Sequence, residues 1–414
     1  MRGILLLGAG LLVAGCGGAG EGGGAAVTRD SGGIAIVENT ASAWSAGQEW
    51  KVDSVILDIG GDVDSVSGPV RLGDGRLAIA NAGTHEVRVY DASGALVHAS
   101  GRAGDGPGEY RMLAGIWRGP GDSLLVSDFM ARRVSVLDRE AKFARSFSLG
   151  GNTGGLMPVG GRIEFAVPQG WFADGSVVGV TMGFTLNQAK QGPYRDTVSA
   201  LRYGPDGAVR DTIARFPGAE MEQMTMSMGG QSFSAPMAVP LGRQTVTAAQ
   251  DDRFYLAQND AWEIEVRDLN GKLVRLIRIK AGPMPLTPDD IEAHRKTQLE
   301  QMEGIPAMRS MPPAFKAQIT ARIEQAKYPA TLPFVSSLLV DSEGHLWAQE
   351  VPSPRLKRSL TTYAVFDGSG RLLGRVTMPE DFRVASIGAD RVYGVWKDAD
   401  DVEHVRAYRL RKGS

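Results

Sequence analysis

At six places along the chain a short polar turn is followed by alternating apolar and polar positions: DGRLAIAN, GDSLLVSD, DGSVVGVT, DDRFYLAQ, EGHLWAQE and ADRVYGVW. Period-two alternation marks a half-buried strand, and the preceding Asp/Gly residues mark a hairpin turn. The first apolar residues are Leu77, Leu124, Val177, Phe254, Leu346 and Val392, spaced by 47, 53, 77, 92 and 46 residues. The 92-residue interval holds 46 residues of helical pattern, Gly282 to Lys327, and returns to 46 without them. The 77-residue interval holds a methionine-rich stretch that reads as a loop, 221–237. Five of the motifs are followed by a second strand and turn: VRVYDASG, VSVLDREA, SALRYGPDG, IEVRDLNG and YAVFDGSG. A further strand such as ALVHAS comes next, and a short one such as PVRL precedes each motif. Four antiparallel strands repeated about every 45 residues predict an all-β fold, a six-bladed β-propeller.

After Val392 only 22 residues remain, holding VYGVWK and VRAYRLR but no fourth strand. The N-terminal segment is expected to close the ring with IAIVE or VDSVILDI, which removes two exposed sheet edges together. Within such blades the short, stereotyped turns fall on one face, and all the length variation falls on the other. The variable connections are Gly101 to Met112, Pro217 to Pro240, Gly282 to Pro333, Val351 to Ser359 and Lys397 to His404. Variable loops on a rigid frame are where binding function concentrates. The helical insertion, 282–333, is expected between blades four and five. It opens with an N-cap, an N1 proline and first-turn acids at Thr287, Pro288, Asp289 and Asp290, and its second half spaces Phe315, Ile319 and Ile323 four apart. It reads equally as a cover for apolar blade edges and as a ligand gate.

The first sixteen residues are a separate unit. Arg2 is followed by an apolar run from Gly3 to Leu12, too short to span a bilayer, and then by Val13-Ala14-Gly15-Cys16. This segment resembles a bacterial lipoprotein signal peptide. The resemblance implies cleavage after residue 15, acylation of Cys16, and, with Gly17 rather than Asp next, an outer-membrane or periplasmic anchor in the cell envelope. Residues 16–33 are dominated by glycine and read as a flexible tether, with the folded part, 34–412, starting at Ile34. The strings VYDASGALVHASGRAGDGPGEY and VSDFMARRVSVLD resemble NHL-type repeats. With GIAIVEN, GDGPGEY and VSSLLVDSEGHLW, the chain is similar to bacterial six-bladed β-propeller lipoproteins, a family without an assigned general activity.

Composition narrows the function classes. Lys and Arg number 45 against 47 Asp and Glu, a net charge of −2, which argues against a nucleic-acid binder. Glycine, at 54 of 414 residues, is about twice its usual share of roughly 7% and fits many tight turns. The single cysteine excludes an intrachain disulfide and a cysteine-based zinc site.

No nucleophile motif stands out, and GDGPGEY lacks the Lys-Ser/Thr of a phosphate loop. Met221, Met224, Met226, Met228 and Met237 offer thioethers for Cu(I) or simply apolar packing. The histidines, His85, His98, His294, His345 and His404, form no HxH or HxxxH pair. Asp91 and Asp138 recur at corresponding strand ends, as turn or ion-pair residues do. Arg355, Lys357 and Arg358 are expected opposite the acidic Asp398, Asp400 and Asp401. The residues assigned to the long-loop binding face are His85, Arg102, Glu109, Tyr110, Asp128, Arg132, Trp262 and Arg355. The expectation is a membrane-anchored module that binds a protein, peptide or glycan, with no cofactor. The alternative is a gluconolactonase-like or lyase-type enzyme with one calcium or zinc in the central channel.

Overall fold

The computed structural model describes residues 26–150, 162–185, 190–228, 231–305, 308, 311–356 and 360–413. The expected signal segment, Cys16 and the first part of the tether lie outside the described residues.

Alternating apolar positions and turn glycines produce short antiparallel sheets, arranged as a β-propeller. Among the described residues there are six sheets of four or more strands and one two-stranded ribbon. The first two sheets have four strands each, Val66–Arg71, Leu77–Asn81, Glu86–Tyr90 and Leu96–Ser100, then Leu113–Arg118, Leu124–Asp128, Arg133–Leu137 and Phe143–Phe147. The third has five, Arg162–Trp171, Val177–Thr185, Tyr194–Tyr203, Val209–Met228 and Gln231–Ala238. The fourth is built on Val246–Gln250, Arg253–Ala257, Glu263–Asp268 and Leu273–Ile279. Helices α1, Pro288–Gly304, and α2, Pro313–Gln325, then rise from the ribbon Met284–Pro285 and Thr331–Leu332. The fifth sheet is Val335–Val340, Leu346–Glu350, Thr362–Phe366 and Leu372–Thr377. The sixth takes Phe382–Ile387, Arg391–Lys397 and Glu403–Arg411 from the C-terminal end, and Lys51–Ile59 pairs antiparallel with its last strand.

The core lies between the sheets. Leu77, Ala78, Ile79 and Ala80 are buried on both strand faces, as are Leu124, Leu125 and Val126, because each sheet is sandwiched by two neighbours. Every one of the six main hydrophobic clusters draws its residues from two successive sheets. Ala80 and Leu124 join the first and second sheets, Trp171 and Val136 the second and third, and Phe216 and Phe254 the third and fourth. Trp262 and Phe366 join the fourth and fifth, Trp347 and Phe382 the fifth and sixth, and Tyr393 and Ile79 the sixth and first. First strands of successive sheets are also stitched together. Ser67 Oγ donates to Ala114 O at 3.3 Å, Arg383 Nη2 to Val66 O at 2.7 Å, and Ser386 Oγ to Pro69 O at 2.8 Å.

Three expectations change. The tether does not run to residue 33, because Ala26–Ser31 pairs antiparallel with Ile34–Asn39. Gly32 and Gly33 both have positive φ, 62° and 84°, the geometry of a tight hairpin turn that glycine adopts without steric cost. Ile34–Asn39 does not close the ring either; it lies parallel to Leu273–Ile279 and widens the fourth sheet. The methionine-rich stretch is a hairpin rather than a loop, with Met221 opposite Ala238 and Met224 opposite Ala235.

Candidate binding face

The assigned face is built from connections between second and third strands and between successive sheets. Asp128 closes the second strand of its sheet and is 2% exposed. A buried carboxylate needs hydrogen-bond donors, and Asp128 has three in the backbone. Its oxygens accept from Arg111 N at 2.7 Å, Met112 N at 3.2 Å and Ala131 N at 2.9 Å. It therefore staples the 101–112 connection onto the 128–133 turn and is not free to meet a ligand. Arg133 reinforces the staple by donating to Asp105 O at 2.8 Å and Glu109 O at 2.5 Å.

Inside the 101–112 connection the glycines allow a tight fold around Glu109. Its carboxylate accepts from Gly106 N at 2.8 Å and pairs with Arg102 at 2.6 Å. These contacts lower its pKa, the Gly106 amide contributing first and Arg102 second. Arg102 remains 80% exposed at the side chain. Tyr110 does not face a partner: it is 1% exposed and packs with Leu113 and Leu124. His85 sits in a turn at φ 58°, and its Nδ1 is buried without a hydrogen-bond partner among the described residues.

Next to this connection lies a small open cleft between the second and third sheets, lined by Asp128, Phe129, Arg132, Val134, Phe165 and Pro168 among others. Phe129 meets Phe165 edge-on at 5.4 Å, and the Arg132 guanidinium stands 5.7 Å from the Phe165 ring. Phe129 is 42% exposed, Met130 50% and Met112 48%, and Phe129 N donates to Met112 O at 2.9 Å. These apolar residues escaped the sequence reading. The signal was present in DFMARR, where a turn expected to be polar carries Phe and Met.

Trp262 and Arg355 do not join this group. Trp262 is buried between the fourth and fifth sheets, 5.6 Å from the Phe366 ring, so it is core rather than contact surface. Arg355 does not meet the acidic 398–401 turn; its Nε donates to Asp290 Oδ1 at 3.0 Å. Lys357 and Arg358 lie outside the described residues. Asp290 also accepts from Ser353 Oγ and from Thr287 Oγ1, both at 2.5 Å, while its own amide donates to Thr287 Oγ1. This capping box fixes the start of α1 to the fifth sheet. The Ser353 hydroxyl first, then Thr287, and also Arg355, hold the Asp290 carboxyl far below the usual carboxylate range.

One grouping with metal-ligand chemistry occurs among the described residues, Asp341, Glu343 and His345. Its donors are already committed. Asp341 Oδ1 accepts from Glu343 N and His345 N at 2.9 Å, and Oδ2 from His345 Nδ1 at 2.9 Å and Trp347 Nε1 at 3.0 Å. In this structure the turn is held by its own hydrogen bonds, with Lys412 paired to Glu343. The first strands of the sheets, VSGPVR, LAGIWR, RIEFAVPQGW, VTAAQ, VSSLLV and FRVASI, carry one carboxylate, Glu164, and no histidine.

No family model matches this sequence, and no curated protein matches it either. Solved structures with a similar course include a member of the DUF4221 family from Bacteroides vulgatus, 10% identical, TM-score 0.47, covering 88% of this chain and 99% of that one. The calcium-binding protein regucalcin from Agrobacterium tumefaciens is 10% identical, TM-score 0.39, covering 87% and 96%. Virginiamycin B lyase from Staphylococcus aureus is 8% identical, TM-score 0.39, covering 87% and 99%. Neither ligand nor activity passes from these proteins to this chain. No helix among the described residues is long and apolar enough to cross a membrane.

Proposed function

We propose that this chain is an extracytoplasmic lipoprotein, anchored through Cys16, whose six-bladed propeller binds a protein or peptide on its long-loop face. In this reading the blades are the six larger sheets, the last is completed by Lys51–Ile59, and the helical hairpin separates blades four and five. The hydrophobic clusters that link each sheet to the next support the blade count, and Val13-Ala14-Gly15-Cys16 supports the anchor.

The observation that carries the binding reading is the exposed group Met112, Phe129 and Met130 beside Phe165 and Arg132. A cluster of large apolar side chains left in water, with cations at its edge, is what a protein-contacting surface presents before its partner arrives. The flexible thioethers of Met112 and Met130 adapt to apolar partner side chains better than to a sugar ring. The metalloenzyme alternative is the weaker fit, given a single carboxylate and no histidine on the first strands.

The test compares the full acylated protein with a Phe129→Ser/Met130→Ser variant by crosslinking in intact envelopes. The reading requires a defined partner that crosslinks to the native chain, is lost from the variant, and leaves the melting temperature unchanged. Identical crosslinks from both proteins would overturn the assignment of this face. One tightly bound metal per chain with a chelator-sensitive melt would overturn the binding reading itself.

A further inference from the structure

The position of the chain's start bears on what the helical hairpin meets. Ala26 pairs with Asn39, and Asn39 O accepts from Lys280 N at 3.0 Å, two residues before the insertion begins at Gly282. The anchored end therefore emerges beside the root of α1 and α2, at the rim of the fourth sheet. Ala26 is ten residues along the chain from Cys16, a maximum reach of about 35 Å. Helix α1, at 17 residues, is itself about 25 Å long. A bilayer holding the Cys16 lipid therefore lies within about 35 Å of the hairpin's root, a distance comparable to the hairpin's own length.

The hairpin has the surface for such a contact at its end and not along its sides. Residues of α1 and α2 belong to none of the six core clusters, and α2 has no buried residue. Glu292, Lys296, Glu300 and Glu303 are exposed on α1, so the helix is too polar to lie flat in an interface. Where the helices end, Ile305 is 49% exposed and Met311 39%. Leu356, one residue from the Arg355 that clamps α1, is 62% exposed. Ile305 and Met311 are thus partly exposed where the two helices meet, on the element whose root lies beside Ala26.

We propose that the helical hairpin is a membrane-contact element, with Ile305 and Met311 entering the bilayer interface while the Cys16 lipid holds the protein there. This rests on the lipid-anchored reading above. A hairpin docked in this way fixes the disc's orientation, which a glycine tether alone does not do.

Because Cys16 is the single cysteine and acylation consumes its thiol, an introduced cysteine is the one site for a fluorophore. The full acylated chain carrying Met311→Cys or, as a control in a turn of the first sheet, Ala92→Cys is reconstituted in phosphatidylethanolamine/phosphatidylglycerol vesicles containing bromine-tailed lipid. The expected result is loss of about half or more of the Met311→Cys emission, since interfacial groups sit roughly 5–10 Å into the headgroup boundary. The Ala92→Cys label stays bright. Adding Ile305→Glu to the Met311→Cys chain restores the emission without releasing the protein from vesicles. Equal quenching at both positions, or at Ala92→Cys alone, overturns the inference. Mass analysis of the N-terminal peptide separates the two levels. A lipid-free Cys16 removes the anchored reading and the inference with it, whereas an acylated Cys16 with an unquenched Met311→Cys label removes the inference alone.

Discussion

Two sets of aspartates in this protein make similar numbers of hydrogen bonds over very different stretches of chain. In six hairpin turns an aspartate, Asp91, Asp138, Asp268, Asp341, Asp367 or Asp398, accepts from the backbone amides two and four residues ahead at 2.8–3.1 Å. Asp128 and Asp290 reach much further, Asp128 to Arg111 and Met112, Asp290 to Ser353 and Arg355. The first set shapes a turn whose geometry its own five residues nearly dictate. The second set decides where a long connection or a helix rests on the disc. The first set should therefore act only within its own turns, whereas the second also sets the shape of the binding face.

The sharpest break in this rule is Asp341, a turn aspartate that is fully buried and has acquired Trp347 and His345 as extra partners. Asp341→Ala leaves the indole N–H and two backbone amides without acceptors. At roughly 1–3 kcal/mol for each buried unsatisfied donor, the variant is expected to lose about 3 kcal/mol or more. The measurement is a denaturant midpoint with unchanged slope. Asp91→Ala, the half-buried counterpart without an indole or imidazole partner, should move the midpoint far less. Equal shifts would mean that the turn alone, and not the buried network, sets the cost.

Asp128→Ala comes next. Three backbone amides lose their acceptor, for an expected cost of about 2 kcal/mol. Unlike the turn variants, it should also loosen 101–112 and abolish crosslinking at the Met112–Phe129–Met130 surface. Lost stability with intact crosslinking would move Asp128 into the purely local set.

Asp290 is expected to act on position with little effect on the global midpoint. In Asp290→Ala the first-turn amides of α1 should exchange with solvent faster while the sheets stay protected. The pH dependence has a definite sign. The folded-state pKa is depressed, so the lock is fully present above the ordinary carboxyl range near pH 4 and is lost only as pH falls through the depressed value. Protection of α1, corrected for intrinsic exchange rates, should be flat from pH 7 to 5. A decline within that window would place the controlling group elsewhere.

The same distinction between local and distant partners explains what could be read from the sequence. Leu77, Leu124, Val177 and Leu346 each open the second strand of a sheet, and Phe254 and Val392 are each one residue inside theirs. A period-two pattern and a turn are local facts, and so is the capping box at Thr287. The N-terminal hairpin was local too, but its Ser-Gly-Gly turn is embedded in glycine-rich sequence and looked like more tether. Tyr110 and Trp262 were assigned to the surface because their segments are loops. Their burial comes from another part of the chain, the second sheet for Tyr110 and Phe366 for Trp262. In the same way, nothing near Asp290 in the sequence announces Ser353 or Arg355.

The smallest effect tests the claim that turn geometry is set inside the turn. The residue between the two donating amides is left-handed in all six turns, at Gly94, Ala141, Gly271, Gly344, Gly370 and Asp401. Glycine takes this conformation freely, whereas other L-residues are strained by roughly 1–2 kcal/mol. Asp401, exposed at φ 62°, carries that strain, so Asp401→Gly should stabilise the protein by up to about 1 kcal/mol, offset in part by greater freedom of the unfolded chain. Gly344→Ala is the mirror experiment. Its φ is 85°, and nothing lies within 4 Å of the added methyl, so any destabilisation, expected at about 1 kcal/mol, is backbone strain alone. Opposite and comparable shifts in the two denaturation midpoints would confirm that the turns are locally determined. If Asp401→Gly destabilises instead, the acidic 398–401 turn has a partner beyond its own residues and belongs with Asp128 and Asp290.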